Sequence, residues 1–391
     1  MQGVPQNIMQ ALKRLTENGF CAYLVGGCVR DRIIGKTPHD FDIATSALPD
    51  EISACFPEYK KILSGKKHGT VAVIIEREPV EITTFRIDGD YADNRHPCSV
   101  EFTRDIIKDL SRRDFTVNAI AMDMTGKTVD CFGGLEDIKS RMIRCVGEPD
   151  MRFCEDGLRI LRALRFSSVL DFDIDIATSE SIHKNRELLN NISGERICSE
   201  FFKLICGKRA KAVLHEYRDV ISVFLGDTIN EKLLDRIDLL PQSAQMRLAA
   251  LLYGCNTQTI LKIAARLKMS NSMRDKVVFL CENADMLAGI DRVGLKFALS
   301  EFSPECMYEL IDFSTAVLGT DKELRTLLDD ILSSGEVYRI NQLAIDGNAL
   351  YECGLRGKSI GEARRLLLSE VIEGRLFNTR ECLLKRAREL V

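Results

Sequence analysis

A glycine pair set between an apolar run and a charged helical segment does most to limit how this chain can fold. The run is Tyr23-Leu24-Val25, the pair Gly26-Gly27, and the segment Cys28 to Ile34. A short β-type run that ends on two glycines turns sharply. It also lets backbone approach a ligand with no Cβ in the way. A helix that starts at the turn presents free N–H groups suited to phosphate, and Arg30 lies one turn in.

Asp40-Phe41-Asp42-Ile43-Ala44 follows, and its apolar residues predict a strand. Residues i and i+2 of a strand share a face, so both carboxylates project together while Phe41 turns inward. Two such groups repel unless a cation lies between them, and a hard, oxygen-liganded ion such as Mg²⁺ fits. A lone Gly-Gly is usually only a turn, and a lone Asp-x-Asp only a solvated strand end. Together, at this spacing, they resemble the signature of the DNA polymerase beta-like nucleotidyltransferases. That superfamily carries a third carboxylate between apolar neighbours on an adjacent strand, as in Val80-Glu81-Ile82.

The 391 residues suffice for two to four structural units, and 45% hydrophobic content supports a core. A net charge of −4 argues against nonspecific coating of nucleic acid, though not against a local basic groove. None of the 14 cysteines forms a Cys-x-x-Cys pair, so zinc and dithiol chemistry are not indicated. They read as small buried hydrophobes of a reducing cytoplasm. No secretory core or membrane-length apolar run is present.

Residues 1–22 have an amphipathic helical pattern, with Ile8, Leu12 and Leu15 on one face. Strands are expected at Tyr23–Val25, Phe41–Ala44, Val71–Ile75, Val80–Phe85 and Asn118–Asp123. After Gly133-Gly134 nearly every segment has helical periodicity, as in Ser179–Asn190, Ser193–Cys206 and Ala244–Tyr253. The polar stretch Asp88–Pro97 reads as a loop, placed to serve the active site because it follows the Glu81 strand. In Arg112-Arg113-Asp114-Phe115-Thr116-Val117-Asn118, Arg113 suits a triphosphate, and Asp114 and Asn118 suit ribose hydroxyls. Further on, Leu158, Leu161 and Leu164 supply a core face. Asp156, Arg159, Arg162 and Arg165 share a second register at the same spacing. Such a face is usually only salt-bridged surface. Three evenly spaced arginines without a balancing run of acids point to bound phosphate or base.

Taken in order, these motifs, closing on Glu155-Asp156-Gly157-Leu158-Arg159, resemble the class II tRNA nucleotidyltransferases (CCA-adding enzymes) and bacterial poly(A) polymerases. The likeness is strongest over residues 20–210 and continues to Leu343-Ala344-Ile345-Asp346-Gly347-Asn348. It implies an α+β nucleotidyltransferase head with a small mixed sheet, then an all-α neck, body and tail in an elongated, seahorse-like shape. The expected limits are 1–135 for the head, 136–205 for the neck, 206–290 for the body and 291–391 for the tRNA-binding tail.

The resemblance further implies catalysis by Asp40, Asp42 and Glu81, with Mg²⁺ on Asp40 and Asp42. It implies nucleotide binding by Gly26, Gly27, Arg30, Arg113, Asp114, Asn118, Glu155, Asp156, Arg159, Arg162 and Arg165. The implied substrates are ATP, CTP and the tRNA 3′ end, handled in the cytoplasm by a monomer or homodimer with no membrane partner. Asp88–Pro97 resembles the family's flexible loop. Gly157 stands where relatives more often carry Pro or Ala, which would loosen the start of its helix. An A-adding enzyme, a poly(A) polymerase and, from another class, a catalytically silent RNA-binding module remain open. The intact Asp40/Asp42 pair argues against the last.

Overall fold

The computed structural model describes residues 3–38, 40–89, 100–320 and 323–391. Most of the loop expected at Asp88–Pro97, from residue 90 on, lies outside them. The chain divides into two compact units. One is Met1–Ile229 with Ile263–Met269; the other is Asn230–Lys262 with Ser270–Val391.

The first unit opens with helix α1 (Gln6–Glu17), strand β1 (Ala22–Val25), helix α2 (Gly27–Ile33), strand β2 (Asp42–Thr45) and helix α3 (Pro49–Cys55). Strands β3 (Lys61–Ile62), β4 (Thr70–Ile75) and β5 (Glu78–Thr84) follow, then the small ladder of β6 (Arg86–Asp88) and β7 (Val100–Phe102). Helix α4 (Ile106–Ser111), strands β8 (Ile120–Met122) and β9 (Thr128–Asp130), and helix α5 (Gly134–Lys139) complete this portion. Seven strands form one mixed sheet in the order β3-β4-β5-β2-β1-β8-β9. β1 lies antiparallel to β2 and β8, and β2 lies parallel to β5.

Register sorts the faces. Leu24 pairs with Ile43, and Ile43 with Ile82. All three are buried on one face, which α1 and α3 help to cover. Ile8, Ala11, Leu12 and Leu15 of α1 recur at helical spacing and are buried, the isoleucine and the two leucines each contributing about 1.5–3 kcal/mol of transfer free energy. The other face carries Val25 opposite Asp42, and Ala44 opposite Thr83. Residues on directly opposed positions share a face, so Asp42 rises from the same surface as Ala44 and Thr83.

The expected strands occur with ends shifted by a residue or two, with two corrections. β2 begins at Asp42, so Asp40 precedes the strand and the i, i+2 argument does not place it. Asn118 lies in a 3₁₀ turn (Thr116–Asn118) before β8, because its N–H donates to Phe115 O at 2.9 Å.

Helices α6 (Pro149–Glu155), α7 (Leu158–Leu170), α8 (Ile176–Asn185) and α9 (Gly194–Ile205) follow in the same unit. The continuous helix expected from Asp156 to Arg165 is also corrected. Asp156 adopts extended backbone (φ −146°, ψ 103°), and its side chain accepts the Leu158 N–H at 3.1 Å. Asp competes with helix by such local bonds, which is why it starts α7 and does not continue α6. Gly157 does not loosen this start. A Cβ there would lie 3.1 Å from Leu188 Cβ and 3.2 Å from Leu188 O, so glycine allows a close approach.

Among its described residues the second unit has helices and turns and no strand. Ser243, Ser270, Asp291, Ser303 and Asp346 each cap a helix by accepting a backbone N–H, worth about 1 kcal/mol apiece. Leu350, Leu367, Ile372 and Leu383 centre a buried cluster of this unit.

Candidate active site

The site grows from the turn at Gly26. Its φ of 75° and ψ of −136° lie where a side chain is strained, and a Cβ would meet Arg113 Nη1 at 3.1 Å. That turn starts α2 and aims it at a cavity of about 560 Å³. Gly26, Gly27, Arg30, Asp40, Asp42, Arg113, Asp114, Asn118, Arg162 and Arg165 line it, together with Cys28, Asp31 and Phe166.

The polar side chains are fixed by one another. Arg30 donates from Nη1 to Asn118 Oδ1 at 2.7 Å and from Nη2 to Asp31 at 2.7 Å. Asn118 donates to Asp114 Oδ1 at 3.2 Å, and Arg162 donates twice to Asp114 Oδ2, at 2.8 and 2.6 Å. Burial alone would raise the Asp114 pKa, but Arg162, Asn118 and Arg159 together outweigh it and hold the carboxyl below the usual range. Arg165 pairs with Glu200 at 3.0 Å. Arg113 pairs with the buried Asp109 at 3.3 Å. Beneath these groups lies Phe166. The guanidinium carbons of Arg30, Arg162 and Arg165 stand 5.2, 5.3 and 4.0 Å from its ring centre.

Asp40 and Asp42 are exposed at the cavity wall. Desolvation pushes the Asp42 pKa above its ordinary value; Arg113 opposes this and the neighbouring Asp40 charge adds to it. Two carboxylates close enough to repel suit a divalent cation. Among the described residues no three His, Cys, Asp or Glu side chains gather to hold one. That donor set fits an ion such as Mg²⁺, which takes one or two carboxylates and completes its shell with phosphates and water. Glu81 is exposed on β5 and does not line the cavity.

Glu155, Asp156 and Arg159 also stand outside the cavity lining. Asp156 accepts from Arg196 of α9 at 2.7 Å. Arg159 pairs with Glu155 and donates to Arg152 O at 3.1 Å and Arg112 O at 3.2 Å. Asp156 and Arg159 therefore have separate partners.

Sequence reasoning did not assign Asp31, Phe166, Asp109, Arg196 or Glu200. Phe166 lies four residues after Arg162, and Asp109 three and four before Arg112 and Arg113, spacings at which helical neighbours meet. Arg196 and Glu200 are distant in sequence and carry no such signal.

A phosphate-suited helix start and paired aspartates that line one cavity beside a mixed sheet define a nucleotidyltransferase arrangement. Comparison with known proteins narrows it. A model described as the poly A polymerase head domain matches residues 22–144. A second, described as a probable RNA and SrmB-binding site of polymerase A, matches residues 171–220. The CCA-adding enzyme of Lactobacillus helveticus is 36% identical over 98% of this chain and 96% of its own length. That of Geobacillus thermodenitrificans is 52% identical over 54% of this chain and 51% of its own length. The crystal structure of the Bacillus stearothermophilus CCA-adding enzyme in complex with CTP superposes with a TM-score of 0.82 at 33% identity, covering 98% of this chain and 96% of that one. The chain belongs to the class II family of CCA-adding enzymes and poly(A) polymerases.

Proposed function

We propose that this protein is a tRNA nucleotidyltransferase that builds or repairs the 3′-terminal CCA of tRNA from CTP and ATP, without a nucleic-acid template, in the cytoplasm. The observation that carries the reading is the Asp40/Asp42 pair on the same cavity as Gly26, Gly27 and Arg30. The reaction joins the tRNA 3′-hydroxyl oxygen to the α-phosphorus of the nucleotide and breaks the bond to the β-phosphate, so pyrophosphate leaves.

Gly26 and Gly27 let the triphosphate approach the start of α2, and Arg30, Arg113 and Arg165 hold its charge. Asn118 and Asp114 face the ribose, with Arg162 keeping Asp114 ionised and oriented. Asp40 and Asp42 would hold Mg²⁺. The chemistry supplied by that ion, when bound, is activation of the attacking hydroxyl and neutralisation of charge on the phosphates. Asp156 and Arg159 choose the base. Cytosine and adenine both present an amine donor beside a ring-nitrogen acceptor, which a carboxylate and a guanidinium complement. Guanine and uracil present the reverse. In this reading residues 1–135 carry catalysis, 136–205 base choice, and the helices beyond hold the RNA.

The test is incubation with tRNA lacking CCA, supplied with CTP alone, ATP alone, then both. Two additions with CTP and a third that needs ATP are expected. Addition of A alone to a CC-ended tRNA would replace this reading with an A-adding enzyme, and a long A tract with a poly(A) polymerase. No addition at all would leave an RNA-binding module.

A further inference from the structure

Phe166 is the one aromatic side chain in the cavity wall among the described residues. It is only 7% exposed. The fully buried Phe115 meets it edge to face, with ring centres 5.7 Å apart and planes at 79°. Such a neighbour fixes the rotation of the ring and so the direction of its faces. Around it stand three guanidiniums, Arg30 of α2 and Arg162 and Arg165 of α7. All are within the roughly 6 Å over which a ring attracts a cation.

The three are not held alike. Arg30 spends Nε and Nη2 on Asp31 and Nη1 on Asn118. Arg162 spends Nε and Nη2 on Asp114. Arg165 donates no hydrogen bond among the described residues. Its Nε lies 3.0 Å from Glu200 Oε2, but both atoms are buried without a hydrogen-bond partner, so charge alone joins them. Its guanidinium carbon is also the closest of the three to the ring, at 4.0 Å from the centre. A cation–π contact consumes no N–H donor, so the fork of Arg165 remains available in the cavity it lines.

Three like charges around one point repel one another. Burial holds the Arg165 pKa below the usual arginine value; Glu200 opposes this, and the charges of Arg162 and Arg30 add to it. Arginine stays charged all the same. In the empty cavity Arg165 is therefore pushed by its neighbours and held by Glu200 and the ring.

We propose that Phe166 is a positioning residue for the triphosphate: its ring keeps Arg165 in the cavity of the empty protein, so the phosphates meet a donor fork already in place. This rests on the function proposed above. Phe166 touches no reacting atom in this role. It acts through Arg165 by sparing the substrate the cost of ordering that side chain.

The experiment measures equilibrium binding of CTP and of inorganic tripolyphosphate, which carries the charge without base or ribose, in buffer containing Mg²⁺. It uses the full chain and its Phe166→Leu, Phe166→Tyr, Arg165→Ala and doubly substituted Phe166→Leu/Arg165→Ala variants. Phe166→Leu is expected to weaken both ligands by about tenfold, the scale of a desolvated cation–π contact. Phe166→Tyr, which keeps the ring, should stay within about threefold of the parent. In the Arg165→Ala background, Phe166→Leu should weaken binding by no more than about twofold further, because the contact it removes is already gone. Thermal melting identifies a leucine variant that does not fold, and Phe166→Met then takes its place. Unmoved affinity with a lower melting temperature, a tyrosine variant no better than leucine, or losses that add in the double variant would overturn the role while leaving the function intact. A parent chain that binds no CTP and adds nothing to tRNA would remove both.

Discussion

Arg196 reaches Asp156 across forty positions of the chain and donates to its Oδ2 at 2.7 Å. The other oxygen takes the Leu158 N–H, so the carboxylate is held from two sides while its remaining lone pairs stay available. Asp156→Ala and Arg159→Ala should each lower use of CTP and ATP together and erode rejection of UTP and GTP. A mismatched base would leave buried charged groups unpaired, at about 1–3 kcal/mol each. Incorporation of all four nucleotides by both variants checks this. Unchanged selectivity with a lower melting temperature would reduce Arg159 to a partner of Glu155.

Asp40→Asn and Asp42→Asn should abolish nucleotide addition and leave the fold intact, because both side chains are exposed and the change is isosteric. Addition measured beside a melting curve tests this, and near-parent incorporation by either variant would sink the metal-pair reading.

Helix propensity favours Ala over Gly by about 1 kcal/mol. Gly157→Ala should nonetheless fail to stabilise the protein. The new Cβ would press on Leu188 at 3.1 to 3.3 Å, and overpacking costs about 1–3 kcal/mol. A lower midpoint in thermal melting is expected; a higher one would show that Leu188 yields freely.

Asp114 has a depressed pKa in the folded state because Arg162, Asn118 and Arg159 together outweigh its burial. Its contribution to stability is therefore fully present above the unfolded carboxylate pKa of about 3.9 and is lost as pH falls through the folded value. Asp114→Asn should cost about 1.5–3 kcal/mol at pH 7, with the gap to the parent narrowing as pH falls below about 4. Urea titrations at pH 7, 5 and 3 read that difference. A gap that stays constant with pH would show that the ionised pair is not its source.

The parts of the site legible in the sequence are those whose geometry is local. Gly26-Gly27 needs only its own backbone, and Arg30 only the helix that follows. β2 is visible as an apolar run, but its first residue depends on pairing with β1 and β5, so the sequence pattern does not show that Asp40 precedes the strand. Apolar residues around Asn118 give it a strand pattern, while its side chain bridges Arg30 and Asp114, 88 and 4 positions away. The break at Asp156-Gly157 did carry a signal, since Asp-Gly marks turns, yet the three-residue arginine register obscured it. Arg196 and Glu200 reach the site only because α9 packs on α7, a contact that no spacing encodes.

Charge balances around the cavity at Gly26. Arg30, Arg113, Arg162 and Arg165 are matched by Asp31, Asp40, Asp42 and Asp114. Protein alone thus presents a formally neutral bowl to one of the most highly charged small molecules in a cell. Its guanidiniums fix where a triphosphate goes, but they give it little reason to come. A divalent counterion bound with the triphosphate would supply the net attraction that the lining itself does not. In the proposed reaction, loss of pyrophosphate would return the bowl to that neutral state and so favour release.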